Sequence, residues 1–154
     1  MFFNSRVSQW GGAAFILGNI LFIVNKLDEM SHLFFGRRMP DVISGETMLL
    51  VLIGQVALII GYIVYYQYYV SRAKRSAKYA LRLFCGGGIV LSFGHLVFTP
   101  VSPFEGLFLL VFVGLAVMLV GLIWFGIVTV RQPILGRWQW LPLATGLMGF
   151  VGFF

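Results

Sequence analysis

Four long apolar stretches constrain the fold of this chain more than any other feature. They cover about 7–27, 48–69, 81–98 and 107–130, and each is close to the ~20 apolar residues that an α-helix needs to cross ~30 Å of hydrocarbon. The chain is 60% hydrophobic and 10% charged, whereas soluble domains carry about 25% charged residues. The sequence therefore excludes a water-soluble globule and predicts one integral membrane domain over 1–154, an all-α polytopic transmembrane helical bundle.

A fifth apolar segment, 135–154, follows the last charged loop. The apolar residues from Trp140 onward are too few to cross the membrane, unless the helix begins near Pro133 and the Arg137 side chain reaches back to the headgroups. We therefore expect a short fifth helix, which either re-enters the membrane or is the start of a longer segment.

The loop between the first two spans, 25–47, mixes apolar and charged residues. Leu27, Met30 and Leu33 recur at the spacing of an amphipathic helix that lies at the membrane interface. A simple extension of the first helix explains the same residues equally well. Pro40 would end the helix in either case.

The distribution of charge predicts how the bundle is oriented. All five acidic residues fall in the two loops on the side opposite the N-terminus. Because Lys and Arg are retained on the cytoplasmic side, we expect a cytoplasmic N-terminus in a bacterial inner membrane. The basic residues on the side of the N-terminus, which outnumber the other three, are Arg6, Arg72, Lys74, Arg75, Lys78, Arg82, Arg131 and Arg137.

Small residues recur on every complete span at spacings that place them on one face. Because lipid does not drive apolar helices together, close backbone approach at such residues is what holds membrane helices to each other. We therefore expect each span to use these faces as contacts, and we expect spans three and four to be antiparallel neighbours. The pairs are Ala14 and Gly18, Ala57 and Gly61, Gly88 and Ser92, and Gly114 and Gly121.

Three polar side chains inside the spans lie at a similar depth. Asn19, Gln55 and Ser92 are each roughly 10–12 Å from the outer ends of their spans at ~1.5 Å per residue. An unsatisfied polar group in hydrocarbon is costly, so we expect these three residues to form one hydrogen-bonded layer between helices.

His95 lies about one turn closer to the outer surface than this layer. One hypothesis is a neutral imidazole hydrogen-bonded to a neighbouring helix; the other is an axial ligand of a haem or chlorophyll-type tetrapyrrole, with Gly94 leaving room for the ring. No second histidine lies at that depth, which excludes a bis-histidine haem. A metal site of His32, His95 and Glu46 has no ligand spacing to support it, so we expect no metal, and the sequence requires no cofactor.

Basic residues between spans two and three form another candidate site. Arg72, Arg75, Lys78 and Arg82 follow at spacings of three and four, which places them along one helical stripe. Such a stripe binds anionic lipid headgroups or an acidic partner.

The sequence contains none of the HExxH, G-x-S-x-G or P-loop motifs, and no carboxylate lies inside a span. We therefore expect a non-catalytic structural or accessory subunit of a larger membrane assembly, such as an energy-converting one. Its partners would be the lipid bilayer and other membrane subunits or a second copy, with no nucleic acid. One alternative is a protein that binds a pigment, haem or small molecule through His95. Another is an enzyme or transporter acting from the outer face through Glu46, Glu105 and His95.

Overall fold

The structure is a computed structural model that describes residues 5–36, 49–97, 106–132 and 135–153. These residues are helical almost throughout and contain no strand. Four of the helices are long and apolar enough to cross a membrane, which confirms the prediction of an all-α polytopic bundle. The elements are α1 (Ser5–Phe35), α2 (Leu49–Val70), α3 (Arg75–Val97), α4 (Gly106–Arg131), a 3₁₀ turn (Gly136–Trp138) and α5 (Leu141–Phe153).

The first helix is longer than its apolar stretch. α1 continues to Phe35, so the first part of the predicted loop is an extension of the helix and not a separate interfacial helix. It ends where Gly36 adopts a φ of 62° and its amide donates to the carbonyl of His32 at 3.0 Å. A left-handed glycine is a common helix stop. Pro40, the predicted stop, lies outside the described residues.

The third helix begins earlier than predicted, at Arg75 instead of 81. The turn before it is tight, because the amides of Arg72 and Ala73 both donate to the carbonyl of Tyr69 at 3.0 Å. Apolar length identifies the part of a helix that lies in lipid, whereas backbone hydrogen bonding continues through basic residues. α2 and α4 agree with their predicted bounds to within one residue at each end.

The fifth helix is short, as expected. The 13 residues of α5 rise about 20 Å, less than the ~30 Å of a hydrocarbon core. Close contact with α4 positions α5, since any side chain on Gly126 would collide with Leu143. The buried Thr129 hydroxyl lies 2.8 Å from the carbonyl oxygen of Gln139, which ties the end of α4 to the segment that leads into α5.

Among the described residues, each helix packs mainly on its neighbours in the sequence, so the helices form a row with α1 and α5 at its ends, and the contact between α3 and α4 is the most extensive. Glycines permit the close approach. A methyl group at Gly114 on α4 would lie 2.5 Å from the amide nitrogen of Leu91 on α3, and one at Gly18 on α1 would lie 2.8 Å from the carbonyl oxygen of Gly54 on α2. These contacts confirm the predicted small-residue faces and the antiparallel pairing of α3 with α4.

Along the helix axes, the core lies nearer the end of the bundle that holds the α2–α3 turn. Tyr62 is at its centre, with its ring 5.1 Å from that of Phe15 and 5.6 Å from that of Phe84, and its hydroxyl 3.4 Å from the sulfur of Met118. We call the end that holds the α2–α3 turn the tyrosine end, and the opposite end, which holds His95, the histidine end. The buried core residues are Leu58, Tyr62, Ala73, Ala77, Ala80, Leu81, Phe84, Cys85, Leu122, Phe125 and Val128.

Candidate functional site

The structure separates the three residues of the predicted polar layer. Gln55 and Ser92 are buried between helices, at 3% and 1% exposed. Asn19 is exposed, and its amide nitrogen donates to the carbonyl oxygen of Phe15 on its own helix at 2.7 Å. The layer therefore does not include Asn19. Depth along a helix can be counted from the sequence, but the direction in which a side chain faces depends on which neighbours the helix acquires.

The exposed position of Asn19 is unusual for a residue in a membrane helix. A primary amide has two N–H donors and an acceptor oxygen, and the bond to Phe15 uses one donor. Polar side chains inside membranes nearly always face protein or a water-filled cavity. Two exposed apolar residues, Ile16 and Ile23, flank Asn19 at spacings of three and four, so the three form one stripe along α1. We call it the Asn19 stripe.

α1 is also the least covered of the spanning helices. In its most apolar stretch 11% of residues are buried, compared with 44% in the corresponding stretch of α3. Its contacts within the bundle are made almost entirely with α2, through Gly11, Gly18 and Phe15. The Asn19 stripe is therefore open in the isolated chain.

His95 is half-buried on α3 near the histidine end. Its Nδ1 lies 3.0 Å from the carbonyl oxygen of Leu91, and because a carbonyl only accepts, Nδ1 is the donor and the lone pair of the neutral ring is on Nε2. The ring meets Phe22 of α1 edge to face at 6.1 Å. One of the two sequence-based hypotheses placed the hydrogen-bond partner of His95 on a neighbouring helix, but the hydrogen bond is made within α3.

The space beside His95 is smaller than the tetrapyrrole hypothesis requires. Gly94 is buried, and a methyl group there would lie 3.0 Å from Cγ2 of Val111 on α4. The helix contact therefore occupies the room that a tetrapyrrole would need at Gly94. Within the described ranges no three His, Cys, Asp or Glu side chains are grouped as a metal site would require. Glu46 and Glu105, the other members of the predicted outer-face sites, lie outside those ranges, and His32 is exposed in the last turn of α1.

Asp28 is a functional candidate that the sequence did not indicate. Counted as a loop residue by its charge, it lies on α1 and is 3% exposed, with an interaction partner in the structure. The hydropathy pattern ended the first span at 27. No pattern in the sequence shows whether a carboxylate at position 28, one residue later, is buried or solvated.

The basic stripe lies at the tyrosine end. Arg75 and Arg82 are exposed on α3, Lys78 is half-buried, and Arg72 is exposed in the turn before the helix. The opposite face of the same segment is buried through small residues, chiefly Ala77 and Ala80. This division explains why the basic side chains remain outside the bundle and available to headgroups or partners.

Two of these arginines are held by tyrosines of α2. Arg72 donates to the hydroxyl of Tyr68 at 2.9 Å, with its guanidinium 4.3 Å from the centre of that ring. Arg82 donates through Nε to the hydroxyl of Tyr66 at 3.0 Å. Guanidinium groups stack on aromatic faces and still have free N–H groups for an anion. The tyrosines therefore hold these two cations in place at the tyrosine end.

A groove between α1 and α2 opens beside Arg72. It has a volume of about 210 Å³, below the ~300–1,000 Å³ of typical small-molecule pockets. Its walls are mostly apolar or aromatic, and Gly12 forms an open part of its edge, with nothing within 4 Å of a methyl group placed there. The lining residues are Ser8, Gly11, Gly12, Phe15, Gly61, Val64, Tyr65, Tyr68 and Tyr69.

A second groove of about 190 Å³ lies between α3 and α4, lined by Arg82, Gly86 and Val113 among others. Apart from Arg82 its lining is apolar.

Comparisons with known proteins do not indicate a function for these sites, since no family model, no curated protein and no solved structure matches the chain.

Proposed function

We propose that the protein is a non-catalytic subunit of a larger membrane assembly and that the Asn19 stripe on α1 contacts a neighbouring subunit. The observation that carries this proposal is the exposed amide of Asn19 in the middle of a spanning helix. Interhelical hydrogen bonds of Asn are a common means of joining membrane helices. A partner helix lying against α1 would cover the stripe and use the remaining donor and acceptor of Asn19.

The test compares two variants that lose an amide. Asn19→Leu replaces an exposed amide in the middle of α1, whereas Gln67→Leu replaces an exposed amide in the last turn of α2, where water can reach it. After solubilisation in a mild detergent, native mass spectrometry of the wild type should give a complex of defined mass. We expect Asn19→Leu to weaken that complex about fivefold, since such interhelical bonds contribute about 1 kcal/mol. Gln67→Leu should leave it intact; equal loss in both variants, or a wild type that is solely a monomer, would overturn the proposal.

We further propose that the N-terminus is cytoplasmic, in a bacterial inner membrane. The excess of basic residues at the tyrosine end supports this orientation. Because Cys85 is buried, single cysteines introduced at exposed positions report the side of the membrane. We expect a membrane-impermeant maleimide on intact cells to label Leu33→Cys at the histidine end and to leave Lys74→Cys unlabelled until the cells are opened. The reverse labelling would invert the orientation.

Ligand binding at His95 is a second candidate, favoured by the lone pair on Nε2. A histidine that donates through Nδ1 to a carbonyl has the arrangement found in many metal and haem ligands. The visible absorbance of the natively purified protein tests this candidate. Bands that disappear in His95→Ala would support ligation, whereas bands that persist in that variant, or a spectrum with no visible bands, would exclude it.

A further inference from the structure

The groove between α1 and α2 combines an apolar channel with a fixed cation. Its walls consist mainly of Phe15, Val64 and tyrosine rings, whereas Arg72 lies at its tyrosine end through its bond to Tyr68. The volume of about 210 Å³ suits a segment of a flexible chain better than a compact ligand, which usually requires ~300 Å³ or more.

No acidic residue occurs near Arg72 in the sequence. All five Asp and Glu lie between residues 28 and 105, in or beside the loops of the histidine end, and the tyrosine end holds the excess of basic side chains. A guanidinium group in these surroundings favours a phosphate, to which arginine donates in a bidentate manner.

We infer that this groove binds an anionic phospholipid, with its phosphate on Arg72 and one acyl chain along Phe15 and Val64. The inference does not use the Asn19 contact, because the α1 residues of the groove, 8–15, precede the Asn19 stripe, although Gly12 lies on the same face of the helix as Ile16 and Asn19. Anionic lipids gain about 1 kcal/mol for each basic residue at the membrane surface, and the tyrosine contact holds Arg72 in position before the lipid binds.

Native mass spectrometry of the detergent-purified protein tests the inference, with phosphatidylglycerol, phosphatidylcholine or inorganic phosphate added separately. We expect bound phosphatidylglycerol and little phosphatidylcholine. Arg72→Gln should weaken phosphatidylglycerol binding about fivefold, which corresponds to about 1 kcal/mol. The control Arg131→Gln removes the same charge from an exposed residue at the tyrosine end of α4, outside the groove, and should leave binding unchanged.

A pair of glycine variants tests the acyl-chain part of the site. Gly12→Leu places a side chain at the edge of the groove, and Gly86→Leu places one in the α3–α4 groove; neither meets an atom within 4 Å at its first carbon. We expect Gly12→Leu to lose phosphatidylglycerol and Gly86→Leu to retain it.

Three results would overturn the inference. Equal loss in Arg72→Gln and Arg131→Gln would indicate diffuse charge attraction, and equal binding of phosphatidylcholine would indicate a groove without headgroup selection. Displacement of phosphatidylglycerol by inorganic phosphate at matched concentration would assign the cations to free phosphate instead of lipid.

Discussion

The two ends of the bundle are held together in different ways. At the tyrosine end, rings of α1, α2 and α3 meet around Tyr62 and the α3–α4 contact is backed by the fully buried Phe125. Towards the histidine end, large apolar side chains such as Leu33, Phe34 and Phe93 are exposed. Lipid covers an apolar side chain as well as protein does, so exposure alone costs little there. The packed end therefore reflects complementary side-chain shapes, and the exposed amide of Asn19 is the feature on which the proposed subunit contact rests.

The largest effect expected from this difference concerns two phenylalanines. Phe125 is 0% exposed and Phe93 is 53% exposed. Because a deleted ring leaves a cavity only where protein surrounds it, we expect Phe125→Ala to lower the free energy of unfolding by about 3–5 kcal/mol. Phe93→Ala should change it by less than about 0.5 kcal/mol. Unfolding in mixed detergent micelles measures both, and similar losses would mean that the two ends are equally packed.

Two glycines of the α3–α4 contact, one near each end of the bundle, provide a second comparison of the two ends. A methyl group on Gly121 would lie 2.7 Å from the backbone carbonyl carbon of Leu83, whereas one on Gly94 would lie 3.0 Å from the side chain of Val111. Backbone cannot yield as a side chain can, so we expect Gly121→Ala to cost about 2 kcal/mol of unfolding free energy. Gly94→Ala should cost less than half of that. If Gly94→Ala proves the more damaging, the tight contact lies at the histidine end.

The smallest effect concerns the hydrogen bond that anchors α5. Thr129 is fully buried, with its hydroxyl 2.8 Å from the carbonyl oxygen of Gln139. Thr129→Val keeps the shape of the side chain and removes the donor, so we expect a loss of about 1 kcal/mol in the same unfolding assay. Thr145→Val, an exposed threonine of α5, is the matched control and should be neutral. A neutral Thr129→Val would show that packing at Gly126 alone holds α5.

The sequence predicted the parts of the fold that depend on apolar length. α2 and α4 end where their apolar residues end, because nothing beyond the membrane prolongs them. α1 continues over Lys26 and Asp28 to Phe35, since a helix needs no lipid to maintain its backbone hydrogen bonds. Length and composition contain no information about such extensions.

The candidate sites were less predictable because they depend on the neighbours of each helix. Asn19 and Gln55 have similar depths, yet only Gln55 faces protein. Five tyrosines fall within positions 62–69 of α2, but Tyr62 is the centre of the core, whereas Tyr68 holds Arg72. Spacing places residues on a helix, and packing decides what each one touches.

Photo-cross-linking in native membranes tests the central claim most directly. A photoreactive amino acid at Ile23 lies on the Asn19 stripe, and one at Leu17 lies on the other exposed flank of α1. The account predicts a cross-linked product of defined mass from Ile23, greatly reduced when Asn19→Leu is added, and none from Leu17. Equal products from both positions, or a product from Leu17 alone, would contradict a subunit contact at Asn19.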